Sequence, residues 1–140
     1  MGAKIRHIAL ATQDPEGTAR FYIEGLGLRQ VGVIDSDLAS GYILTDGYLN
    51  MAILKWKTEH AATTEGAPKY TGLHNFGFKV EDVGEARQKL ERAGGTHNPM
   101  KGKTTGKGKV DVEVKFSGPD GVMIDLSEHG WLTLTTYGIQ

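Results

Sequence analysis

Two histidines and one aspartate stand out because each lies in a segment that otherwise has the pattern of a buried β-strand. His7 lies in "KIRHIALATQ" and His74 in "LHNFGFKV", each on the same strand face as apolar residues. Asp125 lies in the apolar run "GVMIDLSE". A buried carboxylate is costly unless it is paired, hydrogen-bonded or bound to a cation. Two imidazoles and one carboxylate together suit a divalent metal and leave coordination positions open for a substrate.

An internal repeat links the two histidines. At an offset of 67 residues, the stretch 7–27 aligns without a gap over 74–94. Six pairs are identical: His7/His74, Gly17/Gly84, Ala19/Ala86, Arg20/Arg87, Glu24/Glu91 and Gly27/Gly94. A single histidine on an apolar strand face is usually a hydrogen-bonded core residue. Two histidines at equivalent positions of related modules would enter one cavity, which favours the interpretation as a metal site.

Each histidine-bearing strand is followed by a predicted helix with its own start and stop signals. In "DPEGTARFYIEGLG" Asp14 is the predicted N-cap, and Gly25 or Gly27 ends the helix. In "EDVGEARQKLERAGG" Asp82 is the predicted N-cap and Gly94 ends the helix. Short β-like runs follow both helices, namely "LRQVGVI", "SGYILTD" and "LNMAILKW" in the first half and "VDVEVKF" and "GVMIDLSE" in the second.

This order predicts an α+β fold of two βαβββ modules whose paired mixed sheets enclose a shared cavity. We expect a single domain over 1–140, with module 1 at about 1–57, a linker at 58–70, module 2 at about 71–130 and a tail at 131–140. The basic run "KGKTTGKGK" (101–109) is predicted to be a flexible loop, either simply solvated or a lid that attracts an anionic substrate.

Composition narrows the function classes. The chain has 140 residues, 39% hydrophobic and 24% charged, with a net charge of −1 and no cysteine. The near-neutral charge gives no sign of a nucleic-acid or membrane partner. The absence of cysteine excludes disulfides and thiolate metal sites. The N-terminus lacks a signal-peptide pattern and no run is long enough to span a bilayer. We therefore expect a cytoplasmic protein with a small-molecule substrate.

Several further side chains are candidates for the site, and each has a purely structural or surface role as its alternative. Glu128 and His129 follow Asp125 closely and could be catalytic, although a solvated strand end is the favoured interpretation for each. Tyr48 and Tyr42 could line the cavity, with core packing as the default. His60 and His97 are predicted to be surface residues. Phe76 and Phe78 share the predicted face of His74 and become candidate cavity walls.

The segments "IRHIALATQD", "ARFYIEGLGL", "GLHNFGFKVEDVGEARQKLERAGG" and "GPDGVMIDLSE" together resemble the vicinal oxygen chelate superfamily. Its members include glyoxalase I, extradiol dioxygenases, methylmalonyl-CoA epimerase, and fosfomycin and bleomycin resistance proteins. The resemblance implies metal ligands at His7, His74 and Asp125, and a homodimer whose site is built from one chain or two. A fourth ligand position falls near Met51, which cannot bind a hard cation.

Three ligands rather than four imply, by resemblance, an extradiol-type dioxygenase that acts on a small substrate through two neighbouring oxygens, with Fe(II) as the first choice of metal. The alternatives are a glyoxalase-like lyase or isomerase and a fosfomycin-type thiol transferase, using Mn, Zn, Ni or Co. A non-enzymatic alternative is a metal-free drug or metabolite binding protein of the bleomycin resistance type.

Overall fold

The computed structural model describes residues 2–64, 71–98 and 114–133, which divide between two units. The first unit comprises His7–His74 and Trp131–Gln140, and the second comprises Met1–Arg6 and Asn75–Gly130. The predicted loop 101–109 lies outside the described residues, as does the beginning of the predicted strand 110–116. None of the helices in the described ranges is long and apolar enough to cross a membrane.

The first half of the chain follows the predicted order β-α-β-β-β. Its elements are β1 (Lys4–Ala11), α1 (Pro15–Leu26), β2 (Arg29–Asp35), β3 (Ala39–Thr45) and β4 (Asn50–Trp56). The strand order is β2-β3-β4-β1, in which β1 and β4 are parallel and the other pairs antiparallel. A short helix, α2 (Glu59–Thr64), occupies the first part of the segment predicted as a linker.

The second half repeats the order. Its elements are β5 (Gly72–Lys79), α3 (Val83–Arg92), β6 (Thr96–Asn98), β7 (Val114–Ser117), a 3₁₀ turn (Pro119–Gly121) and β8 (Met123–Ser127). The strand order is β5-β8-β7-β6, and the β5/β8 pair is again parallel. The predicted α+β class with two βαβββ modules is thereby confirmed.

The capping residues predicted from sequence start both long helices. The Asp14 carboxylate accepts a hydrogen bond from the Gly17 N–H at 3.0 Å, and Asp82 accepts one from the Glu85 N–H at 2.9 Å. Each cap satisfies a backbone donor that has no partner within the helix. Gly27, at φ 74°, ends α1 in the left-handed conformation that glycine adopts without steric cost.

One face of each sheet packs on its helix. In the first unit the buried core residues are Ala19, Leu44 and Ile53, with Leu10 and Met51 packed against them. In the second unit they are Val114, Phe116 and Leu126, flanked by Phe78, Val80, Val83, Ala86, Leu90 and Ile124. Phe78 therefore packs in the core beside α3, which corrects its interpretation as a cavity wall.

β6 is the strand that sequence analysis missed. Its residues "THN" lack the β-branched and aromatic pattern that signals a strand, and pairing with β7 holds them in place. His97 was expected on the surface but is half-buried, because its strand position brings its ring to 5.4 Å from the Phe116 ring.

Candidate functional site

Polar side chains are buried on the sheet face opposite the helix in both units. Successive residues of a strand point to opposite faces. Since Leu10 and Ile53 lie in the α1 core, His7 of β1 and Asn50 of β4 point to the other side. Both side chains are buried. Buried polar groups cost free energy, so a face that carries them is a candidate for function.

His7 is held by a chain of two hydrogen bonds. Asn50 Nδ2 donates to the Leu132 carbonyl at 2.7 Å, and Asn50 Oδ1 lies 2.7 Å from His7 Nδ1. Because the amide oxygen can only accept, His7 Nδ1 carries the proton and the ring lone pair is on Nε2. The imidazole also stacks on Trp131, with ring centroids 4.8 Å apart and planes 9° from parallel. The ring is thus fixed in tautomer and orientation.

The second unit has a row of paired residues that crosses all four of its strands. Gly77 pairs with Asp125, Asp125 with Lys115, and Lys115 with Asn98. Residues two positions along the same strands lie on the same face. We call this set the polar face: Asn75, Gly77, Lys79, Thr96, Asn98, Lys115, Ser117, Met123, Asp125 and Ser127. It lies opposite the core of Val114, Phe116 and Leu126.

An ion pair occupies the middle of the polar face. Lys115 Nζ donates to Asp125 Oδ1 at 2.7 Å, and the two side chains are only 7% and 2% exposed. Of the three ways in which a buried carboxylate is stabilised, the structure shows ion pairing, with the Lys115 ammonium as the partner of Asp125. Sequence reasoning missed Lys115 because it alternates with apolar residues in "VDVEVKF", which is the pattern of a charge facing water.

The side chains of His74 and Asn75 point to opposite faces of β5. By strand alternation His74 shares a side with Phe76 and Phe78, and Asn75 shares one with Gly77. His74 is half-buried and its ring meets the Trp56 ring edge-on at 5.5 Å.

The helix caps explain why the sequence repeat pointed to His74. His7 lies seven residues before the cap Asp14, and the residue seven before the cap Asp82 is Asn75. The structural offset of the first strands is therefore 68, one more than the sequence offset. The strand pairs agree, since Ala9 pairs with Ala52 where Gly77 pairs with Asp125. The structural equivalent of Asp125 is accordingly Ala52 rather than Met51, and neither can bind a cation.

The candidate catalytic side chains lie at exposed turns. Glu128 is exposed, and its Oε1 accepts from the Val83 N–H at 2.8 Å, which caps the start of α3. His129 is also exposed. Tyr48 is 49% exposed and lies in a turn. Its backbone N–H donates to Asp46 Oδ1 at 2.8 Å.

Tyr42 packs against the core on the α1 side of the sheet, as its default interpretation predicted, and does not line a cavity on the other face. Its hydroxyl donates to Glu16 Oε1 at 3.2 Å. Loss of hydration and the neighbouring Glu16 carboxylate raise the pKa of the Tyr42 hydroxyl.

The donor set fits a three-ligand metal site poorly. Within residues 2–64, 71–98 and 114–133, no three His, Asp or Glu side chains form a group that could hold a metal ion. The Asp125 carboxylate is bound by Lys115, and the structural equivalent of His7 is an amide, a weaker ligand than imidazole for transition metals. The ligand role of His7, His74 and Asp125 stays a prediction.

Comparison with solved structures shows that the fold is shared. A hypothetical protein from Bacillus halodurans matches with TM-score 0.71 and 18% identity, over 91% of this chain and 94% of that chain. A methylmalonyl-CoA epimerase in complex with methylmalonyl-CoA and NH4+ matches with TM-score 0.70 and 19% identity, over 91% and 94% of the two chains. A variant of 4-hydroxymandelate synthase from Streptomyces coelicolor matches with TM-score 0.74 and 14% identity, over 89% of this chain and 38% of that one.

No curated protein sequence matches the chain. A family model does: the Glyoxalase/Bleomycin resistance protein/Dioxygenase superfamily matches residues 4–126, nearly the whole chain. With the repeated βαβββ order and the parallel pairing of first and last strands in each module, this match establishes that the chain belongs to that superfamily.

Proposed function

We propose that the chain is an enzyme that binds a small substrate through neighbouring oxygen atoms and moves a proton at the carbon beside them, an isomerase or lyase activity. The observation that carries the proposal is the fixed imidazole of His7. A histidine whose Nδ1–H is held by an acceptor presents Nε2 as a base, which is the arrangement of a general acid–base group.

His7 would take the proton from the substrate carbon on Nε2, leaving the C–H electron pair on the neighbouring carbonyl oxygen as an enolate. Return of the proton to the adjacent carbon would give the isomer. Asn50 would hold the ring during both transfers, because its Oδ1 accepts the Nδ1–H and its Nδ2 is fixed by the Leu132 carbonyl. The stacked Trp131 would prevent the ring from turning and cover one of its sides. General acid–base catalysis of this kind contributes about 10²- to 10⁴-fold in rate.

The likeness in fold to methylmalonyl-CoA epimerase supports the class of substrate. That enzyme is seen with methylmalonyl-CoA, in which a thioester carbonyl and a carboxylate are both attached to one C–H carbon. The present chain is only 19% identical to it, so the likeness supports an acyl or oxo acid as substrate and does not identify one.

Hydrogen–deuterium exchange tests this proposal directly. The purified protein is incubated in D₂O with a panel of 2-oxo acids, 2-hydroxy acids and malonyl-type thioesters, and loss of the C–H signal is followed by proton NMR. We expect exchange with one class, and a loss of about 100-fold or more in His7→Gln. His60→Gln, at an exposed position, is the matched control and should retain full exchange. Exchange that survives in His7→Gln would contradict the proposal.

The metal-dependent dioxygenase predicted from sequence is the second candidate. One observation favours it: a metal-bound histidine also donates its other ring N–H to an oxygen acceptor, as His7 does to Asn50. Metal analysis of protein purified without added metal or an affinity tag tests it. About one iron per chain, lost in His7→Ala and in His74→Ala, together with oxygen consumption, would support this candidate. Binding without exchange, oxygen consumption or metal would support the metabolite-binding alternative.

The predicted homodimer and cytoplasmic location belong to the same proposal. Sedimentation of the purified protein tests the dimer.

A further inference from the structure

We propose that Leu132 is a positioning residue for His7: its side chain docks at Gly32 of β2 and thereby holds the backbone carbonyl that orients the Asn50 amide. The inference deepens the proposed function and rests on it for one point, the role of His7 as a base. It concerns the first unit alone, which includes the segment that begins at Trp131.

The residues Trp131–Thr133, which we call the return segment, lie against the sheet face that carries His7. They belong to no helix or strand. The Trp131 ring stacks on His7, the Leu132 carbonyl accepts from Asn50 Nδ2 at 2.7 Å, and Thr133 is buried. In a segment without regular structure, the side chains around a carbonyl help to determine where its oxygen lies.

The Leu132 side chain is seated beside Gly32. A Cβ on Gly32 would lie 3.4 Å from Leu132 Cδ2 and 3.3 Å from Ile43 Cδ1. Gly32 pairs with Ile43, which lies two residues before the β3 partner of Asn50 and so shares its face of the sheet. Leu132 therefore spans three strands, with its carbonyl on β4 and its side chain against β2 and β3.

The seat accounts for the glycine at position 32. Glycine in the middle of a strand costs free energy, and it often marks close approach of another group. The φ of Gly32 is not in the left-handed region, so its backbone conformation is open to other residues. The bulge between Gln30 and Gly32 requires glycine only in the left-handed conformation. Close contact with Leu132 and Ile43 is the reason that the structure supplies.

Docking at Gly32 acts on His7 through two successive hydrogen bonds. The Leu132 carbonyl binds Asn50 Nδ2, which directs Oδ1 to His7 Nδ1. If the carbonyl moves away, the amide can turn and present its N–H to Nδ1 instead. A donor at Nδ1 favours the tautomer with the proton on Nε2, and that tautomer cannot accept a proton there.

Leu132→Ala tests the inference, because it removes the docking side chain and keeps the backbone carbonyl. Long-range ¹H–¹⁵N NMR of the full chain at neutral pH reads the His7 tautomer without a substrate. We expect a second set of His7 ring signals, from the Nε2–H form. Leu132→Met keeps the length of the side chain and should retain the single Nδ1–H form. Leu26→Ala, the same change at a leucine that is 70% exposed, is the matched control and should also retain it.

Gly32→Val approaches the seat from the other side. Its methyl groups would displace Leu132, and we expect the same second set of signals. In the Leu132→Ala background it should cause no further change in tautomer, because the two residues act through one contact. Circular dichroism verifies that each variant is folded, and Gly32→Val decides the question if Leu132→Ala does not fold.

The inference is overturned if the folded Leu132→Ala or Gly32→Val variant keeps the single Nδ1–H form. It is also overturned if Leu132→Met shows the same second set of signals as Leu132→Ala. Failure of the proposed function is a separate result, since an absence of C–H exchange in the panel leaves the tautomer of His7 measurable and unchanged.

Discussion

His7 Nδ1 lies 2.7 Å from Asn50 Oδ1, and the two residues are 43 positions apart in the sequence. They meet because β1 and β4 run parallel with His7 and Asn50 in register. The Leu132 carbonyl fixes the orientation of the amide, and the amide fixes the tautomer of the imidazole. One backbone carbonyl thus determines which ring nitrogen of His7 can act as a base or a ligand.

The tautomer is directly measurable. We expect long-range ¹H–¹⁵N NMR spectra at neutral pH to show His7 with its proton on Nδ1. Asn50→Leu removes the acceptor at nearly constant volume and should let the Nε2–H form appear. The exposed His60 serves as the internal reference. Loss of such a partner typically costs about 10- to 100-fold in activity or metal affinity. An Nε2–H signal in the wild type would contradict the assignment.

The Lys115–Asp125 pair predicts an asymmetry between single and double variants. Lys115→Met removes the ammonium from the buried Asp125 carboxylate, and we expect the free energy of unfolding to fall by about 3–5 kcal/mol. Lys115→Met/Asp125→Leu removes both charges, and we expect it to recover most of that loss. Urea denaturation measures both values. Equal destabilisation in the single and double variants would show that the ion pair itself, rather than the unpaired charge, determines stability.

Adjacent residues of β5 provide a test of which side of the strand carries function. His74→Ala changes a half-buried side chain that shares a side with Phe76 and Phe78, whereas Asn75→Ala changes the buried equivalent of His7. We expect Asn75→Ala to reduce binding of a small-molecule ligand at least 10-fold. His74→Ala should retain that binding. The opposite result, with metal content lost in His74→Ala, would support the ligand role predicted for His74 from sequence.

The sequence predicts the fold well because its signals are local. The caps Asp14 and Asp82 and the glycine at position 27 place the two helices, and alternation places most strands. The repeat offset differs by one residue between elements, because the helix identities such as Ala19/Ala86 hold at 67 whereas the caps and strands agree at 68. One residue is enough to exchange the two faces of a strand. An ungapped alignment dominated by helix identities therefore selects His74 in place of Asn75.

Lys115 could not be predicted from its own segment for a different reason. In an alternating strand, a charge that faces water and a charge on a buried polar face give the same pattern. Only the pairing of β7 with β8 shows that Lys115 lies opposite Asp125. In the structure the buried Asp125 carboxylate is paired with the Lys115 ammonium, and its role as a metal ligand stays a prediction.

The last prediction concerns two glycines with opposite roles. Gly41 in β3 has a φ of 154°, and a Cβ there would overlap the Ile53 carbonyl oxygen of the paired strand β4. Gly41→Ala must therefore displace the backbone next to the α1 core, and we expect a loss of about 2 kcal/mol or more in the free energy of unfolding. Gly25 lies exposed within α1, and a Cβ there meets no atom within 4 Å. Gly25→Ala should stabilise the protein by about 0.5–1 kcal/mol, because alanine loses less backbone entropy on forming a helix. Thermal denaturation of the two variants under one set of conditions should shift the melting temperature in opposite directions. A Gly41→Ala variant as stable as the wild type would mean that β3 and β4 are not packed as closely as their register indicates.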